Sequence, residues 1–264
     1  MLLLVDAGNT RIKWALVDRS VAHPVPGVWH AAGSVARADA EQLVQIWRAL
    51  RIGRVLLSNV AGDGLRDELE RIVLRALGSK PVAIEWFASV AEFGGVRNLY
   101  RTPSQLGCDR LAAAIGARAL FPQRALVVAT CGTATTIDAV SANGDFIGGM
   151  ILPGLGLMAS SLAKNTAQLP EVASQMALQA SSLQPFADNT DAAIVSGCLA
   201  AQAGAIERAV AAHVQANRKD DVTCILAGGA ADLVAPHLSI AHQRVDNLVL
   251  LGLQTVALGL TSSC

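Results

Sequence analysis

The 264-residue sequence predicts an α/β fold built in two halves, and three observations carry that expectation. Strand-like apolar runs alternate with stretches of helical spacing along most of the chain. The chain opens on a tight glycine hairpin, in which the apolar run from Leu2 to Val5 turns through Gly8-Asn9 and returns from Ile12 to Val17. The same format comes back between Leu126 and Val140, around Gly132. Laying Gly8 on Gly132 puts Asn9 on Thr133, Leu16 on Val140 and Asp6 on Thr130, which suggests an internal duplication with a ligand held in a cleft between the copies.

Taken in order, the first hairpin leads through a Pro-bearing loop, His23 to Gly27, to a third strand near Val28 to Val35. Leu43, Ile46, Trp47 and Leu50 share one face of a helix over Ala38 to Leu50; a strand at Val55 to Ser58 and a second helix at Leu65 to Leu77 follow. Val82 to Trp86 reads as a strand, and Gly94 to Pro103 as loop. Gly107-Cys108-Asp109-Arg110 opens an Ala-rich helix running to Leu120. In the second half, strands are expected at Ala125 to Ala129, in the return arm of the repeat hairpin ending at Val140, and at Asp145 to Leu152, Thr223 to Ala227 and Leu248 to Leu251. Its helices fall at Leu155 to Lys164, Asp191 to Gln215 and Ala231 to Leu238. The division expected is 1–117 and 118–264.

Hydrophobic residues make up 52% and charged residues 16%, so the chain has ample core material and no disordered character. Lys plus Arg and Asp plus Glu balance at 21 each, which offers no electrostatic reason for nucleic acid or an anionic membrane as partner. The five cysteines are scattered without a C-x-x-C pair, as suits a reducing cytoplasm. No signal peptide is legible at the start. The two charge-free runs, Phe146 to Ala163 and Asn247 to Cys264, are broken by Pro153 and glycines or by Asn247 and Gln254, and so read as core.

Chemistry concentrates at the strand end. Gly8 admits close backbone approach to an anion, Asn9 and Thr10 offer donors, and Lys13 offers charge. A bare carboxylate there would repel phosphate by about 4 kcal/mol at ~4 Å and an effective dielectric of ~20, so Asp6 fits beside phosphate only with a divalent cation, magnesium, between them. Asp109, in the first turn of its helix, is the candidate catalytic carboxylate that takes or orients the proton of an attacking hydroxyl, with Asp138 as the fallback base. Tyr100, the only tyrosine, and Arg97, Arg101 and Arg110 could form a substrate wall or be ordinary surface groups. P-loop, zincin and serine-hydrolase patterns are missing.

Asp6-Ala7-Gly8-Asn9-Thr10, Gly107-Cys108-Asp109-Arg110, Gly132-Thr133-Ala134-Thr135-Thr136-Ile137-Asp138, Gly148-Gly149 with Pro153-Gly154, Thr166 to Pro170 and the ending Leu248 to Leu253 together resemble the type III pantothenate kinases, in order and end to end. The resemblance implies two ribonuclease-H-like domains of the actin-like ATPase type, a homodimer, and transfer of the γ-phosphoryl of ATP to the 4′-hydroxyl of pantothenate in coenzyme A synthesis. It places Asp6, Ala7, Gly8, Asn9, Thr10, Arg11, Ile12 and Lys13 on the ATP phosphates and Thr133 on ATP, beside the magnesium that the charge of Asp6 calls for. Asp109 becomes the proton acceptor, and Tyr100, Gly107, Cys108, Asp109, Arg110 and Thr190 contact pantothenate. Thr130 stands where the family commonly has a cation-binding Asp, which puts activation by potassium or ammonium (K+ or NH4+) in doubt. Two rival readings stay open: another small-molecule kinase of the superfamily, and a regulatory accessory factor without kinase activity.

Overall fold

Leucine and valine in unbroken runs favour strands buried on both faces, and the N-terminal run forms one. In the computed structural model, which describes residues 1–21, 25–78, 82–166, 169–172, 185–216 and 221–259, β1 (Leu2–Ala7) and β2 (Arg11–Val17) make an antiparallel hairpin with Asp6 opposite Lys13. His23 and Pro24 of the expected loop, and Ala167 and Gln168 of the Thr166 to Pro170 motif, lie outside the described residues.

The chain forms two compact units. The first comprises Met1–Pro122, Gly144–Phe146 and Leu248–Cys264; the second comprises Gln123–Asn143 and Ile147–Asn247. In the first, β3 (Ala31–Ala36), β4 (Arg54–Asn59) and β5 (Ala83–Trp86) complete a sheet of order β3-β2-β1-β4-β5, with β1, β4 and β5 parallel. One face carries Leu3, Val5, Ala7, Ile12, Trp14, Val55 and Leu57 against Leu43 and Trp47 of α1 (Gln42–Arg48) and Leu65, Leu69 and Ile72 of α2 (Asp63–Leu77). The expected helix from Ala38 begins instead as a short 3-10 turn, Arg37–Asp39, before α1.

In the second unit, β8 (Ala125–Cys131), β9 (Ala134–Val140), β10 (Asp145–Pro153), β11 (Val222–Ala227) and β12 (Gln243–Arg244) run in the order β10-β9-β8-β11-β12. Third, second, first, fourth, fifth is the order of the first sheet and of these five strands of the seven-stranded second one, so the duplication extends from the hairpins to five strands of each. The register corrects the expected alignment by one residue on the return strand. Leu2 pairs with Val17 and Leu126 with Val140, so Val17 rather than Leu16 is the counterpart of Val140. The reason is the turn: four residues, Gly8 to Arg11, separate the Ala7–Ile12 pair, while three, Gly132 to Ala134, separate Cys131 from Thr135.

Two further expectations are corrected. The Gly94 to Pro103 stretch is not all loop: β6 (Glu92–Phe93) and β7 (Val96–Asn98) form a small hairpin around Gly94 and Gly95, whose φ of +57° and +74° suit glycine. β7 then pairs in parallel with Asp145 and Phe146 at the start of β10. Leu248 to Leu251 is not a strand but the opening of a helix, Leu248–Leu258. Leu248, Leu250, Leu251, Leu253, Gln254 and Thr255 are all buried, so the helix is apolar nearly all round and lacks the amphipathic stripe that would mark it. It packs on α3 (Cys108–Leu120). A Cβ on Gly252 would strike the Ala112 carbonyl, and one on Gly116 would lie 2.8 Å from the Gly252 nitrogen, so the two glycines set how closely the helices approach.

The remaining helices belong to the second unit: α4 (Leu155–Asn165), α5 (Thr190–Ala216) and α6 (Ala231–Val234). The Leu248–Leu258 helix is therefore α7. Ile194, Val195, Cys198, Leu199 and Ile206 of α5 enter a core with Val127, Ala129 and Leu226.

Candidate active site

Paired residues on neighbouring strands point to the same face of a sheet. The pairs Lys13–Ser34, Asp6–Lys13 and Asp6–Ser58 therefore set Ser34, Lys13, Asp6 and Ser58 in one polar row across the carboxyl end of β1. The row lies on the face opposite the Leu3–Val5–Ala7 core, where Leu2 and Leu4 are fully buried. Asp6 is half-buried, and its carboxyl is pushed up to about 7, chiefly by burial and then by the charge of Asp109, against the partial relief of Lys13.

The amino end of α3 reaches this row. Cys108 Sγ lies 3.3 Å from the hydroxyl of fully buried Ser58 and 3.5 Å from the Asn59 carbonyl, fixing the first helical residue to the end of β4. Burial pushes the Cys108 thiol up, so it is a packing group rather than a thiolate. Asp109 follows in the first turn, and its Oδ1 accepts the Arg110 N–H at 2.8 Å. Its pKa is raised by burial, with Arg110 pulling the other way. A Cβ at Gly107 would come within 2.7 Å of Asp109 Oδ1, so glycine there leaves the carboxylate room.

The Arg110 guanidinium is buried; it donates to the Tyr100 hydroxyl at 3.0 Å and lies 5.8 Å and 5.7 Å from the ring centres of Tyr100 and Phe146. Tyr100 meets Phe146 edge-on at 5.8 Å. The sequence-predicted group Tyr100, Gly107, Cys108, Asp109 and Arg110 is thus assembled in the first unit together with Asp6 and Lys13.

The turn residues divide by role. Ala7 and Ile12 point into the core, so only their backbone is available to a ligand. The Gly8 N–H donates to the Arg11 carbonyl at 3.1 Å and closes the turn, leaving Asn9, Thr10 and Arg11 exposed; Arg11 donates to Ser34 Oγ at 2.6 Å. In the second unit Thr133 is exposed at the matching turn, and its carbonyl accepts the Gly154 N–H at 3.0 Å. A Cβ on Gly154 would strike the Gly132 carbonyl, which accounts for Pro153-Gly154 beside that turn. Thr130 ends the strand where Asp6 ends its own, offering a hydroxyl. Asp138, the fallback base, is buried within β9. Thr190 is exposed at the start of α5, capped by Asn189 Oδ1 accepting the Ala192 N–H at 3.0 Å; it lines a largely apolar groove of about 630 Å³ with Pro153, Met158 and Cys198.

The sequence profile of the type III pantothenate kinases matches residues 2–212. A type III pantothenate kinase from Janthinobacterium sp. (strain Marseille) is 71% identical over 264 residues, covering all of both chains. The chain belongs to the type III pantothenate kinase family. Another relative of that name, from Herminiimonas arsenicoxydans, is 70% identical over the full length of both. Among solved structures, a propionate kinase from Francisella tularensis superposes with a TM-score of 0.51 at 11% identity, covering 97% of this chain and 98% of that one, a likeness of fold alone. The pantothenate kinase family makes the chain a kinase, and its structural neighbours show the fold of the actin-like ATPases and sugar kinases.

For this pantothenate kinase family member, sequence reading passed over Ser58, Asn98 and Phe146. Ser58 sat inside an apolar strand and Asn98 inside a stretch read as loop. Ser58 depends on Cys108, 50 residues away, and the Asn98 side chain on backbone groups of Val90, Tyr100 and Pro103 that any residue type would offer, so pattern carries no signal for either. Among the described residues no three His, Cys, Asp or Glu side chains form a metal-binding group, and none of the helices is long and apolar enough to cross a membrane.

Proposed function

We propose that this kinase transfers the γ-phosphoryl of ATP to the 4′-hydroxyl of pantothenate, with Asp109 receiving or orienting the acceptor proton. The pair Asp6 and Asp109 carries the proposal: two half-buried acids whose pKa values are raised by burial, Asp6 further by Asp109, with a single lysine in the same strand row. A raised pKa keeps Asp109 a stronger base than a surface carboxylate, suited to the proton of an attacking hydroxyl.

Asp6 to Lys13 and Thr133 are the proposed ATP contacts. The donor set fits magnesium, which binds through one or two carboxylates and takes its other oxygens from phosphate and water, so one carboxylate without a protein cage suffices. Bound magnesium would offset the charge of Asp6 beside the triphosphate. Lys13 adds a cation in register with Asp6, and Arg110, fixed by Tyr100 and Phe146, backs the acceptor side. Thr190 completes the proposed pantothenate contacts, and the working enzyme is a cytoplasmic homodimer.

A coupled assay of ADP release tests this. Release that requires both pantothenate and magnesium supports the kinase; equal release without pantothenate would identify an ATPase, and no release a binding protein.

A further inference from the structure

The wall formed by Tyr100, Arg110 and Phe146 needs something to hold it. Tyr100 lies in the stretch from Leu99 to Leu106 that contains only a short 3-10 turn, Pro103–Gln105. Loops of that kind keep a fixed shape only where their backbone groups find partners.

Asn98 supplies them. Its side chain is buried, with 5% exposure. Nδ2 donates to the Pro103 carbonyl at 3.0 Å and to the Val90 carbonyl at 3.3 Å, and Oδ1 accepts the Tyr100 N–H at 3.0 Å. Both amide protons are used. The orientation is forced, because a flipped carboxamide would set its oxygen against two carbonyls and its NH2 against an N–H. The backbone of Asn98 is held as well: its N–H donates to Ala91 at 2.8 Å, it pairs with Phe146 across β7 and β10, and the next N–H, of Leu99, donates to the Phe146 carbonyl at 3.0 Å. One side chain therefore ties the strand that carries Phe146, the loop residue Tyr100 and the turn at Pro103 that leads into Gly107 and Asp109.

We infer that Asn98 is a positioning residue that sets acceptor affinity by fixing Tyr100 and, through it, Arg110. The inference deepens the proposed function and rests on Tyr100 and Arg110 contacting the acceptor. Asn98 itself touches no reacting atom in this scheme, so its loss should act on binding more than on the transfer step.

The experiment measures kcat and KM for pantothenate and for ATP in Asn98→Asp, Asn98→Ser and Tyr100→Phe. Asn98→Asp keeps shape and the acceptor for Tyr100 but turns two donations into contacts between oxygens; Asn98→Ser removes them with less bulk should the acid not fold. The expected result is a pantothenate KM raised ~10-fold or more with the ATP KM within about twofold, the scale of a lost buried hydrogen bond. A merely structural role would lower the active fraction and leave both KM values alone. If Tyr100→Phe raises the pantothenate KM while both Asn98 variants keep it at the wild-type value, the inference is overturned and the acceptor wall stands. If Tyr100→Phe leaves it unchanged, the wall itself is wrong and the inference falls with it.

Discussion

Asp6, at the end of β1, and Asp109, in the first turn of α3, sit near enough that the negative charge of Asp109 helps push Asp6 up to about 7. Neither acid is placed for stability. Burial opposes ionisation of both, and Lys13 beside Asp6 and Arg110 beside Asp109 compensate only part of the cost. Such a frustrated pair is what a site for a polyanion and its metal would present.

The first consequence concerns stability against pH. Asp6 has a folded pKa above its ordinary 3.8, so the folded state holds its proton more tightly than the unfolded chain. The contribution to stability is fully present below the unfolded pKa and is lost as pH rises through about 7. In ligand-free protein the melting temperature of wild type should fall relative to Asp6→Asn between about pH 4 and pH 7, making the variant the more stable at neutral pH while it loses turnover. Parallel melting curves across that range would remove the charge conflict.

Asp109→Asn preserves shape and should fold and bind ATP normally. Turnover with pantothenate should drop by at least ~10²-fold, the usual worth of a positioned proton acceptor. Single-turnover kinetics and ATP titration by calorimetry separate chemistry from binding; near-normal turnover would exclude the role.

Gly107→Ala tests the room given to that carboxylate. A methyl group 2.7 Å from Oδ1 must displace Asp109 or shift the helix start, so kcat should fall steeply while the ATP KM holds. Gly252→Ala drives a methyl into the Ala112 carbonyl, within one turn of Asp109 along α3. It should cost about 1–3 kcal/mol or more in urea unfolding, and a displaced α3 in the folded fraction should show as a lowered kcat.

Thr130 supplies a hydroxyl at the strand end where the family resemblance expects a carboxylate. Exchanging sodium for potassium should therefore alter kcat/KM by less than about twofold, since a hydroxyl is a weaker cation ligand than a carboxylate. Thr130→Asp should acquire a potassium requirement; strong activation of the wild type would show that other groups bind the ion.

The parts of this architecture legible in the sequence were those written in short-range chemistry. A glycine turn between apolar runs located both hairpins, and an Asp beside Gly107 located the start of α3. What escaped was written at long range or in uniform apolar sequence. Leu248 to Leu258 is buried on every side and so resembles a core strand until α3 is there to receive it. The extra residue in the Gly8 turn is invisible to a gapless comparison, which is why the return strands slipped by one. Asn98 looks like any loop amide because its partners are carbonyls at Val90 and Pro103, atoms every residue possesses.

The helix α7 has an implication for how the protein is made. It packs on α3, β1, β2 and β4, and Gln254 accepts from the Gly27 N–H and the Trp29 indole and donates to the Val25 carbonyl. The amino-terminal unit therefore lacks one wall of its core until the ribosome has translated the whole second unit. The nascent chain would emerge with the α7-facing side of β1, β2 and β4 uncovered, and the latecomer helix would act as the closing step of biogenesis.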